Sequence, residues 1–139
     1  MEVSAAIITN GSEILCFQKG WNKHEYLSNR FEFPGGKLEP SESPEEALIR
    51  ELKEELDYDA TSRTLTFYRD IDYNYSDFSV KLHYFIINDP NPILKLKEHI
   101  DAQWHSLDDL EGLNWAGADL ELVKSLRSEQ SFHLLKKRC

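Results

Sequence analysis

The chain has 139 residues, 40% of them hydrophobic and 29% charged, with a formal net charge of −9. That size and composition suit a soluble globular protein folded as one domain over residues 1–139. The acidity argues against nonspecific binding of nucleic acid or of an anionic membrane surface, and no apolar run approaches the ~20 residues of a transmembrane helix.

The N-terminus, Met1-Glu2-Val3-Ser4, shows no basic region and no cleavable apolar segment. Only two cysteines occur, Cys16 and Cys139. A structural disulfide is therefore not expected, and a cytoplasmic location is. Val3 to Thr9 reads as a strand, Asn10-Gly11 as a hairpin turn, and Glu13 to Gln18 as the returning strand. Lys19 to Asn29 is a polar loop containing Trp21 and Tyr26, and Arg30 to Phe33 is a short extended piece ahead of Gly35-Gly36.

The next segment carries a helix with clear start signals. Ser43-Pro44-Glu45-Glu46 is a capping box, with a serine cap, proline at the first helical position and glutamate at the third. The helix is expected over Pro44 to Leu56. Leu48, Leu52 and Leu56, with Ala47 beside them, form its apolar stripe. Glu51, Glu54 and Glu55 stand at i, i+3 and i+4 and so share another face. Like charges at that spacing cost an isolated helix about 0.2–0.5 kcal/mol per pair, which Arg50, four residues before Glu54, offsets only in part. Mg²⁺ favours carboxylate oxygen, water and substrate phosphate, and would turn the repulsion into a binding site. A solvated acidic face is the competing reading.

Leu65 to Tyr73 and Phe78 to Ile87 are β-rich runs joined near Asn74-Tyr75-Ser76-Asp77. Asp89-Pro90-Asn91-Pro92 is a turn cluster, and Ala102 to His105 a short closing strand. A second helix is expected over Asp119 to Leu126, continuing toward Leu135, with Leu120, Val123 and Leu126 as its apolar stripe. Strands segregated from two helices indicate an α+β layered domain. The five histidines show no ligand spacing: His83 reads as structural or surface, while His24 and His99 fall in loops without an assigned role.

The run from Gly36 to Glu55 resembles the signature of the Nudix hydrolases: Gly, five residues, Glu, seven residues, Arg-Glu-aliphatic-any-Glu-Glu. Gly36, Glu42, Arg50, Glu51, Leu52, Glu54 and Glu55 occupy its fixed or class positions, and Phe33-Pro34-Gly35-Gly36-Lys37 resembles the family's lead-in. So many residues at fixed spacing are far more specific than a lone glycine motif. The signature goes on to a glycine and an aliphatic, where this chain has Asp57 and Tyr58. The glycine would be the left-handed residue after the helix, a conformation Asp tolerates at modest strain.

The resemblance implies the Nudix fold, a mixed β-sheet sandwiched between α-helices, and Mg²⁺ as cofactor, with Mn²⁺ as the alternative. It implies Glu51, Glu54 and Glu55 as metal ligands, joined by the Gly35 carbonyl and by Glu98. Glu98 matches a loop glutamate that approaches the metals in the MutT-like branch. Either Glu51 or Glu98 takes the proton of the attacking water, Arg50 orients Glu51 and its neighbours, and Glu42 supports the loop or binds a further metal through water. Lys19 matches a phosphate-contacting position, and Lys37 is a second phosphate candidate; a solvated strand-end lysine is the alternative for Lys19. The stretch Trp115-Ala116-Gly117-Ala118-Asp119 resembles the Trp-x-x-Ala-Asp segment of MutT-like enzymes, where the last residue reads a base edge. Asp119 serves that role or simply caps the last helix. Phe33, Tyr73 and Phe78 are candidates for stacking on the base, against the commoner reading of a strand aromatic as core.

The reaction so implied is metal-dependent hydrolysis of a nucleoside triphosphate, an oxidised dGTP or a cytidine nucleotide, to the monophosphate and pyrophosphate. The expected partner is a small nucleotide, with no nucleic acid and no membrane, and the protein is a monomer or homodimer. Hydrolysis of another nucleoside diphosphate derivative (ADP-ribose, a nucleotide sugar, a dinucleoside polyphosphate) is the rival within the class. A non-catalytic binding module is the rival outside it.

Overall fold

The computed structural model describes residues 1–20, 29–115 and 117–128. The first hairpin forms as its sequence requires. Strands β1 (Glu2–Thr9) and β2 (Glu13–Lys19) are joined at Gly11, whose φ is +101°, and the Asn10 side chain accepts from the Ser12 and Glu13 N–H groups (3.0 and 2.7 Å). The two strands pair only at Thr9–Ile14 and then part. The next segment wedges between them: β3 (Phe31–Glu32) pairs with β2, and β4 (Gly35–Lys37) pairs with β1. Phe33 and Pro34 cross the gap, and the Pro34 carbonyl accepts from the Ala6 N–H (2.9 Å).

Helix α1 (Pro44–Leu56) has both bonds of the expected capping box, Ser43 Oγ with the Glu46 N–H and the Glu46 carboxylate with the Ser43 N–H. It ends at Asp57 in the left-handed conformation (φ +52°, ψ +32°), held by Lys53 Nζ at 2.9 Å. Tyr58, in place of the signature's aliphatic, is buried, and its hydroxyl donates to buried Asp89 (2.7 Å).

Strands β5 (Thr66–Asn74) and β6 (Ser79–Asn88) form an antiparallel hairpin, and β6 runs parallel to β1. Strand β7 (His99–Ser106) lies along the other edge of β2 and is followed by helix α2 (Gly117–Ser128). The result is one mixed seven-stranded sheet. Its strands carry apolar residues on both faces, because a helix covers each. Ala6, Ile8, Leu15, Phe17, Phe85 and Ile87 meet Leu48, Leu52 and Leu56 of α1. Ala5, Ile7, Ile14, Cys16, Tyr84 and Ile86 meet Leu122, Val123 and Leu126 of α2. This is the expected α+β sandwich.

Three expectations change. The closing strand begins at His99 rather than Ala102, so His99 lies in a strand, not a loop. Its register is set by pairing along β2, which a short alternating pattern does not reveal. The last helix begins at Gly117, so Asp119 sits inside its first turn and is not its cap. Strand β4 was not anticipated, because two glycines carry no strand propensity; pairing with β1 creates it. Residues 21–28 of the polar loop, His24 among them, and the continuation of the last helix toward Leu135 lie outside the described residues.

Candidate active site

Arg50, midway along α1, gathers Glu42, Glu51 and Glu54 around its guanidinium. Arg50 holds Glu42 with two bonds, Nε to Oε2 at 2.7 Å and Nη2 to Oε1 at 2.9 Å. Its Nη1 donates to Glu51 Oε1 (2.8 Å) and approaches Glu54 Oε2 (3.4 Å), and Nη2 also donates to the Lys37 carbonyl (2.9 Å). The guanidinium thus ties the loop carrying Glu42 to the acidic face of α1. Its bonds hold the Glu42 carboxyl down at about 2. Glu42 is spent on this brace, which favours the loop-supporting role over a ligand role.

The two glycines are required here for different reasons. Gly35 has φ +154°, and a Cβ there would lie 1.9 Å from the Ser4 carbonyl oxygen. Gly36 has ordinary backbone angles, but a Cβ would stand 2.3 Å from the Glu51 carboxylate. The second glycine clears room for the Glu51 side chain.

Glu51 is mostly buried and Glu54 exposed, with side-chain exposures of 19% and 59%. Glu55 is half-buried, and its Oε2 accepts the Gly35 N–H (3.1 Å). Burial pushes the Glu55 carboxyl up to about 8, and the charges of Glu32, Glu98 and Glu51 add to the rise. Carboxylates from α1, β3 and the turn before β7 are thus near enough for Glu55 to feel the charge of the others. Among the described residues no group of three or more His, Cys, Asp or Glu side chains stands close enough together to hold a metal ion. Carboxylate oxygens under mutual repulsion are the donor type that a hard divalent ion such as Mg²⁺ or Mn²⁺ takes, with waters and substrate phosphate completing its shell. Lys19 ends β2, exposed, with Nζ 3.7 Å from Glu32 Oε1. Lys37 is exposed at the end of β4.

Gly35 and Glu32 also line an open cavity of about 270 Å³. Phe33, Tyr75, Phe78 and Asp119 form other parts of its wall. Asp119 Oδ2 accepts the Phe33 N–H (3.1 Å) and Oδ1 accepts the Tyr84 hydroxyl (2.7 Å). Burial pushes its carboxyl up to about 7 despite those two bonds. Phe33 is buried and stacks on Trp115, centroids 4.8 Å apart. Phe78 is half-exposed and stacks on Tyr75 at 5.0 Å. Tyr73 does not line the cavity; it packs edge-on behind Tyr75 at 4.7 Å. The aromatic that does line it is Tyr75, brought over by the turn that bonds the Tyr75 N–H to the Phe78 carbonyl (2.8 Å). Nothing in the strand pattern distinguishes the two tyrosines.

Sequence reasoning passed over Glu32 and His99. His99 Nε2 lies 2.8 Å from Glu32 Oε2, with the imidazole buried. The only available signal was position: Glu32 stands beside the candidate Phe33, and His99 beside the candidate Glu98.

The family model described as "NUDIX domain" matches residues 1–126. The chain is 33% identical over 127 residues to an Escherichia coli K12 protein described as "CTP pyrophosphohydrolase", covering 90% of each. It is 27% identical over 128 residues to the "8-oxo-dGTP diphosphatase" of the same organism, covering 91% of this chain and 96% of that protein. The solution structure of the E. coli ORF135 protein superposes with a TM-score of 0.76 at 32% identity, covering 92% of this chain and 91% of that one.

Proposed function

The chain belongs to the NUDIX family, and on that footing we propose that it hydrolyses a nucleoside triphosphate to the monophosphate and pyrophosphate, in the manner of a nucleotide-pool sanitising enzyme. The observation that carries this reading is the shared wall. Gly35 lines the cavity and donates its N–H to Glu55 within the carboxylate cluster. A base in the cavity would thus set its phosphates against the acidic face of α1. The relatives described as acting on CTP and 8-oxo-dGTP support a nucleotide carrying one base.

In the reaction, a water oxygen bonds to phosphorus, the bridging P–O bond breaks, and pyrophosphate leaves. Glu51, Glu54 and Glu55, with Glu98 and the Gly35 carbonyl, are the proposed holders of Mg²⁺, or Mn²⁺ in its place. When bound, such an ion orients substrate phosphate and neutralises developing charge. Glu51 or Glu98 accepts the proton from the water. Arg50 holds Glu51 in place from outside the reacting atoms. Lys19 and Lys37 are the proposed phosphate contacts. Phe33 forms the floor of the base site, Phe78 with Tyr75 its stacking wall, and Asp119 its buried polar end. Tyr73 supports Tyr75. The enzyme is proposed to work in the cytoplasm, as a monomer or homodimer.

The test is chromatographic product analysis with Mg²⁺, reading nucleoside monophosphate and its co-product (pyrophosphate from a triphosphate), across the canonical nucleoside triphosphates, 8-oxo-dGTP, a methylated dCTP, ADP-ribose and a dinucleoside polyphosphate. Release from a triphosphate, abolished by chelator and by Glu54→Gln in a protein that still melts normally, is expected. Turnover of ADP-ribose alone, or equal rates for Glu54→Gln and wild type, would refute the proposal.

A further inference from the structure

The segment between β6 and β7 lies against the C-terminal turn of α1. The Lys95 N–H donates to the Leu56 carbonyl (2.7 Å), and Leu94 and Leu96 pack on the core that holds Leu52 and Leu56. With those leucines turned inward, Lys95 and Lys97 are left exposed. On α1 itself, Lys53 stands one turn before Asp57 and bonds it at 2.9 Å. The three ammonium groups share one patch: Lys53 first, then Lys97 and Lys95, hold the Asp57 carboxyl below the usual carboxylate range. Asp59 is a second, more distant carboxylate near Lys53. A lysine in the last turn of a helix complements its dipole. That accounts for Lys53 but not for two more lysines from a separate segment, and among the described residues neither Lys95 nor Lys97 has an ion pair of its own.

The patch borders the proposed metal ligands from both segments. Lys53 immediately precedes Glu54, and Lys97 immediately precedes Glu98. Glu98 lies near enough to Glu55 for its charge to be felt there, so the segment runs from the end of α1 toward the carboxylates. Lys53 fills the variable position of the signature, and Lys95 and Lys97 lie outside it. A polyanion leaving an acidic face meets repulsion unless cations stand beside its exit, and lysine serves phosphate as a compact point charge. Asp57, standing where the signature has glycine, adds a carboxylate at that exit. We propose that Lys53, Lys95 and Lys97 form an anion site for the departing pyrophosphate, and that Asp57 competes with pyrophosphate for these lysines. This rests on the reading of the chain as a triphosphate pyrophosphohydrolase.

The experiment is calorimetry with pyrophosphate as the probe at fixed free Mg²⁺ and low ionic strength, with Mg²⁺ alone as the control. Wild type should bind pyrophosphate. Lys97→Gln should weaken that binding about two- to fivefold, the range of an exposed ion contact, and Lys53→Gln with Lys97→Gln about tenfold. Mg²⁺ affinity should not fall in either variant. Asp57→Asn should tighten pyrophosphate about two- to fivefold, since asparagine tolerates the left-handed exit and releases Lys53. About 1 M salt, with a Debye length near 3 Å, should erase these differences. A structural role for the lysines would lower Mg²⁺ and pyrophosphate affinity together and would gain nothing from Asp57→Asn; that result overturns the inference. Melting curves accompany each variant, and should a lysine variant fail to fold, Asp57→Asn still decides. Unchanged pyrophosphate affinity across the variants, or a wild type that binds no pyrophosphate, also overturns the inference; monophosphate and pyrophosphate formed from a triphosphate in the product analysis leave the proposed hydrolysis standing in either case. No pyrophosphate from any triphosphate overturns both.

Discussion

Replacing Gly36 by alanine separates catalysis from stability. The added Cβ would meet the Glu51 carboxylate at 2.3 Å, whereas ordinary contact begins near 3.4 Å. The carboxylate must therefore retreat by about 1 Å, and it cannot do so without loosening its 2.8 Å bond to Arg50. A displacement of about 1 Å in a catalytic group costs on the order of 10²-fold in rate. Gly36 has no positive φ, so alanine meets no backbone strain there, and the loss of chain freedom in the unfolded state favours the folded one by about 0.4–1 kcal/mol. The expected outcome is a kcat/KM about a hundredfold lower with a melting temperature almost unchanged. Steady-state pyrophosphate release and a thermal melt on the same preparation measure both. Full activity in Gly36→Ala would show that the position of Glu51 does not matter to the reaction. Collapse of the melting temperature would show that the glycine serves the fold instead.

Other outcomes follow from the same geometry. Arg50→Lys keeps the charge but loses the two-bond grip on Glu42; activity or metal affinity should fall about 10–100-fold, read by metal titration of turnover. Tyr58→Phe leaves buried Asp89 without its hydroxyl partner and should cost about 1–3 kcal/mol in denaturant melts, with kcat unchanged. Burial raises the Asp119 carboxyl from 3.8 to about 7 and that of Glu55 from 4.5 to about 8. A raised folded-state value means that the folded protein binds the extra protons, so this stability is fully present below about pH 4 and is lost as pH rises toward 8. Metal-free protein should thus melt progressively lower across that window, and saturating Mg²⁺ should flatten the alkaline side. Asp119→Asn should remove the Asp119 share of the slope.

Features that local chemistry specifies were legible in the residues alone. The Ser43 to Glu46 capping box, the Leu48–Leu52–Leu56 stripe and the Asn10-Gly11 turn each act within a few residues, and all formed as read. The left-handed exit at Asp57 was legible for the same reason. The spacing of Glu51, Glu54 and Glu55 placed them together before any fold was known, since a helix converts spacing directly into a shared face. Features that depend on residues distant in the chain emerged only with the packed sheet. Strand β4 exists only because β1 parts from β2 and offers it an edge. Tyr75 lines the cavity in place of Tyr73 because of where the β5–β6 turn falls. The elevated carboxyl of Asp119 comes from burial against Phe33 and Tyr84, which lie 86 and 35 residues away. The pairing of His99 with Glu32 spans 67 residues and arises because two strands flank β2. Burial and long-range register are properties of the assembled sheet, and no periodicity within one segment encodes them.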